Sequence, residues 1–299
     1  MGNKKSSLVS RRQALKSLAA ITAGTLIKPT SLFANNVRSK TRFAVMGDFG
    51  TGGSDEVTIA RKMAEFNRDA PFEFILGAGD NIYPNGAGHL FVHNFEQPFA
   101  DLLREDVKLY TVLGNHDVEA GRRDQMHYPL FNMGGANYYM FGRGNGLADF
   151  FMLDSTDFDN QQTTWLENQL TQSKALWKIA VFHHPIYSSG KKHGSDTRLR
   201  QRLEPLLKKH HIQVVFSGHD HVYERLKPQD GIQYFVSGGA GKVRRGDIRA
   251  DSTISAASYD DDNHFMVIEL EEKQIAFKAI NKDGTVIDSG VIRQSESGS

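Results

Sequence analysis

Cysteine is absent from all 299 residues. That excludes disulfide frameworks, zinc knuckles, iron–sulfur clusters and thiol nucleophiles. Net charge is nearly absent as well. The 36 Lys+Arg almost cancel the 35 Asp+Glu, leaving +1, so no global polycation advertises nucleic acid or a membrane surface. Long apolar runs are missing too. The stretch Leu18–Ile27 stands out, yet it is too short for a comfortable transmembrane span. With 39 % apolar and 24 % charged residues, the composition is that of a soluble globular protein. The length suits a sizeable core without disulfides. Histidine, by contrast, is plentiful, with twelve in the chain.

The near-neutral total hides an asymmetry. Residues 1–34 contain no acidic side chain and six basic ones: Lys4, Lys5, Arg11, Arg12, Lys16 and Lys28. A basic start, a short apolar run and a small residue, Ala34, before a polar stretch describe an export signal. The segment Ser10-Arg11-Arg12-Gln13-Ala14-Leu15-Lys16 resembles a bacterial twin-arginine signal. The resemblance implies passage of the folded protein through the twin-arginine export machinery, cleavage after Ala34 and a periplasmic or secreted location. Without the leader the balance is 30 Lys+Arg against 35 Asp+Glu, or −5. No stable membrane span is expected once the leader is removed.

From residue 41 onward, strand-like apolar runs alternate with helix-like stretches, which argues for an α/β fold. Strands are expected at 43–46, 72–76, 108–113, 150–153, 177–182, 214–216 and 234–236. A closing meander is expected from three more, at 265–270, 275–280 and 286–292. Several are nearly continuous apolar runs, as in strands covered on both faces. Helices are expected at 56–67, 94–103, 163–173 and 197–209. The stretches 134–146 and 238–262 read as long loops. The expected organisation is a leader (1–34), a short linker (35–40), one domain (41–292) and a disordered tail (293–299).

Five polar clusters each follow an apolar strand: Gly47-Asp48, Gly79-Asp80-Asn81-Ile82-Tyr83, Gly114-Asn115-His116-Asp117, His183-His184-Pro185 and Gly218-His219-Asp220-His221. The carboxyl ends of strands in α/β sheets face the ligand crevice. Glycine beside the polar residue lets the backbone turn sharply and approach closely. Singly, each cluster reads as a turn or a helix cap. Together they offer carboxylates, an amide, imidazoles and a phenol, a donor set suited to iron, zinc or manganese. Five such clusters point to a dinuclear metal site.

The ordered series resembles the calcineurin-like metallophosphoesterase superfamily. Within it, Tyr83 three residues after Asp80 resembles the purple acid phosphatases of the compact, tartrate-resistant type. The likeness covers roughly residues 41–292 and includes Phe150–Ser155 and Gly238–Gly241. It implies a sandwich of two mixed β-sheets flanked by helices, with the metal site at the carboxyl ends of strands. It also implies iron(III) held by Asp48, Tyr83, His221 and the bridging carboxylate of Asp80. A second ion (iron(II), zinc or manganese) would be held by Asp80, Asn115, His183 and His219, about 3.5–4 Å away. The reaction implied is hydrolysis of phosphomonoesters by a metal-bound hydroxide at acidic pH, acting on a small phosphate ester and no nucleic acid. His116 would face the substrate, stabilising phosphoryl oxygens or protonating the leaving alcohol.

Asp117 and Asp220 are expected to orient neighbouring groups. The chain departs from the resemblance at Lys191-Lys192-His193-Gly194, where the mammalian type has Glu-His-Gly. His193 is the remaining imidazole that would reach the leaving group, and His184 would be second-sphere or substrate-facing. A phosphodiesterase or nucleotide phosphatase would use the same centre. A non-catalytic phosphate- or metal-binding protein would keep the donors without turnover.

Overall fold

The computed structural model describes residues 40–294. The expected leader, the linker up to residue 39 and residues 295–299 of the expected tail lie outside them. Among the described residues no helix is long and apolar enough to cross a membrane.

The strands in chain order are β1 (Thr41–Met46), β2 (Phe74–Gly77), β3 (Lys108–Thr111), β4 (Tyr139–Arg143), β5 (Ala148–Met152), β6 (Trp177–Val181) and β7 (Val214–Ser217). They continue as β8 (Tyr223–Leu226), β9 (Gln233–Ser237), β10 (Ser255–Tyr259), β11 (His264–Leu270), β12 (Gln274–Asn281) and β13 (Val286–Arg293). The helices are α1 (Ser54–Asp69), α2 (Ala100–Arg104), α3 (Asp117–Ala120), α4 (Arg122–His127), α5 (Asn160–Gln172) and α6 (Thr197–Lys209).

Two mixed sheets result. One runs β13-β12-β11-β1-β2-β3 and the other β10-β8-β9-β7-β6-β5-β4. In each, a parallel centre (β1-β2-β3; β5-β6-β7-β9) is extended by antiparallel strands. The expected two-sheet sandwich is therefore present, closed by the β11-β12-β13 meander.

The apolar runs are continuous because each strand serves two cores. Side chains alternate faces along a strand. In β1, Phe43 and Val45 enter the core between the sheets, while Ala44 and Met46 face a second core that includes α1 residues Ile59 and Met63. In β7, Val214 and Phe216 point between the sheets, whereas Val215 joins Leu166 of α5 and Leu203 of α6. Phe43 crosses the inter-sheet gap to meet Phe150 edge-on, ring centres 5.4 Å apart. Trp177 adds a polar tie by donating its indole N–H to the carbonyl of Glu271 at 2.8 Å.

Three strands were not legible as such. β4 lies in the glycine-rich stretch read as a loop, and β8 and β10 complete an antiparallel edge. The expected helix at 94–103 is also two pieces. A π-helical turn over Val92–Glu96 ends before Pro98, and α2 restarts at Ala100. Proline supplies no N–H to carry a helical ladder onward.

Candidate metal centre

The parallel strands end at one rim. Asp48 follows β1, Asp80 follows β2, Asn115 follows β3, His183 follows β6, and His219 with His221 follow β7. The backbone there is strained. Asp48, Asp80 and His219 adopt φ of 56°, 50° and 70°, a left-handed region that side-chain-bearing residues seldom occupy. Such strain persists where surrounding structure over-determines it, commonly at functional sites. Two glycines make the close approach possible. A Cβ on Gly114 would lie 2.2 Å from Asp80 Oδ1, and one on Gly218 would lie 2.5 Å from Asp48 Oδ2.

The donors form two sets that meet at Asp80. Tyr83 Oη lies 3.1 Å from Asp48 Oδ1, 3.0 Å from Asp80 Oδ2 and 3.2 Å from His221 Nε2. His221 Nε2 is 3.4 Å from Asp48 Oδ1. On the other side, His183 Nε2 lies 3.1 Å from Asn115 Oδ1, 3.2 Å from His219 Nδ1 and 3.4 Å from Asp80 Oδ1. One oxygen of Asp80 thus faces each set. His183 is aimed by its Nδ1, which is 2.9 Å from the Ala78 carbonyl. That contact leaves Nε2 as the outward donor.

Electrostatics support a cation at this place. Burial pushes the Asp48 carboxyl up, and the neighbouring Asp80 adds to the shift. Burial likewise raises Asp80. The Tyr83 phenol is driven far above its ordinary range by burial and then by Asp48 and Asp80. The imidazoles move the other way. Burial, then neighbouring imidazoles, lower His183 and His219. Burial and Arg244 bring His221 down to about 4. By itself the cluster opposes ionisation of its acids and its bases alike. A multivalent cation stabilises carboxylate, phenolate and neutral imidazole together, so the residues present fit such a group.

The remaining candidates surround this centre. His116 Nδ1 is 2.5 Å from the Pro84 carbonyl, and its Nε2 is 4.0 Å from Asp80 Oδ2. His184 Nδ1 contacts Ser155 Oγ at 2.9 Å, and its ring centre lies 4.5 Å from that of His219. His184 also lies within shared-cation range of His183 and His219, closer than its place beside His183 alone implied. The His193 ring centre lies 4.2 Å from that of His219, on the exposed rim. Asp117 is a clamp: it accepts N–H bonds from Asn81, Ile82 and Gly114 and joins the loop of Asp80 and Tyr83 to that of Asn115. Asp220 similarly accepts from Ser188 Oγ and Gly194 N.

Several contributors were not singled out from sequence. Lys242 places its ammonium 3.5 Å from the centre of the Tyr83 ring, a contact the sequence does not indicate. Asn94 donates to the carbonyls of Gly50 and Tyr83, at 3.1 and 2.7 Å, tying the π-helical turn to the Tyr83 loop. Asp154 is buried and holds Arg122 at 2.6 Å. His210 sits at the end of α6, where the helix dipole favours imidazolium, yet burial and Lys209 lower its pKa.

Strand-end oxygen and nitrogen donors on a two-sheet α/β sandwich are the arrangement of a metal-dependent phosphoesterase, and the calcineurin-like phosphoesterase family matches residues 41–223. Purple acid phosphatase 17 of Arabidopsis thaliana is 31 % identical over 237 residues, covering 69 % of this chain and 70 % of that protein. The chain belongs to this family and, within it, to the purple acid phosphatases, which are metal-dependent hydrolases. Tartrate-resistant acid phosphatase type 5 of Rattus norvegicus is 26 % identical, covering 87 % of this chain and 92 % of that one. A solved structure described as GAP50, the anchor in the inner membrane complex of Plasmodium, shares the fold. Its TM-score is 0.76 at 24 % identity, covering 86 % of this chain and 90 % of that one. Because a fold alone does not carry an activity, the donor set has to carry the functional argument.

Proposed function

We propose that the protein is an exported acid phosphatase that hydrolyses small phosphomonoesters at a dinuclear centre of iron(III) and a divalent metal. The observation that carries this reading is the placement of Asp80, with Oδ2 3.0 Å from Tyr83 Oη and Oδ1 3.4 Å from His183 Nε2. One carboxylate between two donor sets is suited to bridging two cations. Asp48, Tyr83 and His221 would complete the iron(III) set, since a phenolate is a hard anionic donor. Asn115, His183 and His219, all uncharged, suit the divalent ion (iron, zinc or manganese). The chemistry such a pair supplies when bound is charge neutralisation on phosphate and activation of water at mild pH.

The chain's own groups do the rest. The Pro84 carbonyl fixes His116 through Nδ1, leaving Nε2 toward the cleft. A proton held at Nε2 would be delivered to the leaving alcohol. His193 and His184 line the cleft beside His219 and would hold the leaving group. Lys242 adds positive charge over Tyr83 and would favour its ionised form.

Support for export comes from the Arg11-Arg12 leader pattern. Replacing both with lysine should retain the protein in the cytoplasm, as fractionation would reveal. For the centre itself, the test is metal analysis with a visible spectrum. Wild type should hold two metals and be purple to pink, and Tyr83→Phe should lose the colour. A colourless wild type with stoichiometric iron(III) would overturn the Tyr83 assignment. Aryl monoester turnover should exceed that of the matching diester; the reverse order would make the protein a phosphodiesterase.

A further inference from the structure

Two cavities lie at the His193 loop. A cavity of about 360 Å³ holds His184, His193 and His219. A second cavity of about 450 Å³ shares His193 and Ser195 with it. The second cavity therefore adjoins the one that reaches His219, with His193 and Ser195 in the wall of both. The second cavity differs in chemistry from the first. Arg200 and Arg249 line it against a single carboxylate, Asp251, and the other polar contributors are mostly hydroxyls such as Thr197 and Ser252.

Each guanidinium has a direct partner that is not a carboxylate. Arg249 Nη2 donates to the Gly190 carbonyl at 3.1 Å, which anchors it beside the His193 loop. Arg200 lies over the Tyr187 ring at 4.8 Å. Neither forms an ion pair within 4 Å among the described residues, although Glu204, one turn along α6, is bonded to the Tyr187 hydroxyl beside Arg200. A fixed, unpaired guanidinium presents several N–H donors suited to planar recognition of phosphate or carboxylate. The wall is also built. Ser252 Oγ is hydrogen-bonded to the buried Ser189 Oγ, which ties the 249–253 segment to the β6–α6 loop.

We propose that this second cavity is an anion subsite for the leaving group. The preferred substrates would then be phosphomonoesters of polyols that carry a second phosphate. The reacting phosphate would sit at the donor cluster and the distal one between Arg200 and Arg249. The hydroxyls lining the wall would bond the intervening polyol. This inference rests on the phosphatase reading for its catalytic part, but the subsite binds an anion whether or not turnover occurs.

The test pairs a sugar bisphosphate with the monophosphate of the same sugar. Metal-loaded wild type should show a higher kcat/KM for the bisphosphate, expressed mainly in KM. In Arg249→Gln and Arg200→Gln that preference should fall about tenfold each, the scale of one charge-assisted hydrogen bond. Equal losses on both substrates, or no preference in wild type, would overturn the subsite. Calorimetric binding of the two ligands supplies a readout independent of turnover. If wild type hydrolyses neither, the phosphatase reading fails, and a binding preference that Arg249→Gln abolishes still supports the subsite. Equal affinity for both ligands would remove it.

Discussion

At the residue scale, the informative comparison is between histidines of similar sequence and different surroundings. His183 is buried and aimed by a backbone carbonyl, so its free nitrogen faces the donor cluster. His116 is also held by a carbonyl, yet it stands half exposed at 4.0 Å from Asp80. That distance suits a group facing substrate rather than one inside the cluster. Replacing His116 by alanine should therefore keep both metals and the colour while lowering kcat about 100-fold, the lower end of general acid catalysis. Metal content, spectrum and steady-state rates on one preparation check this. Loss of metal would instead make His116 a support of the donor shell. The role of Lys242 was hidden for a related reason. Lysine in a basic loop says nothing about an aromatic ring 159 positions earlier, and only folding sets its ammonium over Tyr83.

At the element scale, α1 begins beside the Asp48 loop and is tied to it by Glu56. The carboxylate accepts from the backbone N–H groups of Thr51 and Gly52 at 2.8 and 2.6 Å, closing the helix start. Its second oxygen is buried without a partner. Burial outweighs these bonds and raises its pKa from the ordinary 4.5 to about 8. The folded state therefore holds a proton that the unfolded chain releases. The associated stability is complete below about pH 4.5 and is lost as pH rises through about 8. In urea unfolding from pH 5 to 8.5, wild type should lose stability relative to Glu56→Gln by a few kcal/mol. Parallel curves for the two proteins would show that Glu56 does not titrate in this window.

Legibility also varies by element. The buried parallel strands were readable because both faces are apolar. β10 (Ser255–Tyr259) was not: it is a half-exposed edge strand that exists through its pairing with β8. The break in the 94–103 helix was signalled by Pro98, and its use by Asn94 to hold the Tyr83 loop was not.

At the scale of the whole molecule, the donor cluster joins the two sheets. Asp48, Asp80 and Asn115 come from one, and His183, His219 and His221 from the other. Cations bound between them would cross-link the layers and relieve the buried carboxylates Asp48 and Asp80. A ligand that binds only the native state stabilises it by mass action, about 4 kcal/mol at a thousandfold excess over Kd. Chelation should accordingly lower the melting temperature by roughly 5–10 °C, reversed by restoring the metals. An unchanged melting temperature after verified metal loss would argue against a cross-linking role.

What the chain by itself determined was the list of chemical groups and their order. Apolar runs marked the central strands, and a glycine beside most of the donor clusters marked where backbone had to approach closely, because those signals are local. The tertiary structure decided which oxygen of Asp80 faces which donors and that Lys242 covers Tyr83. It also decided that Arg200 and Arg249, from a helix and a distant loop, line one cavity past His193. Those are distances between residues far apart in sequence, and they arise only when two sheets pack face to face and bring their strand ends to a common rim.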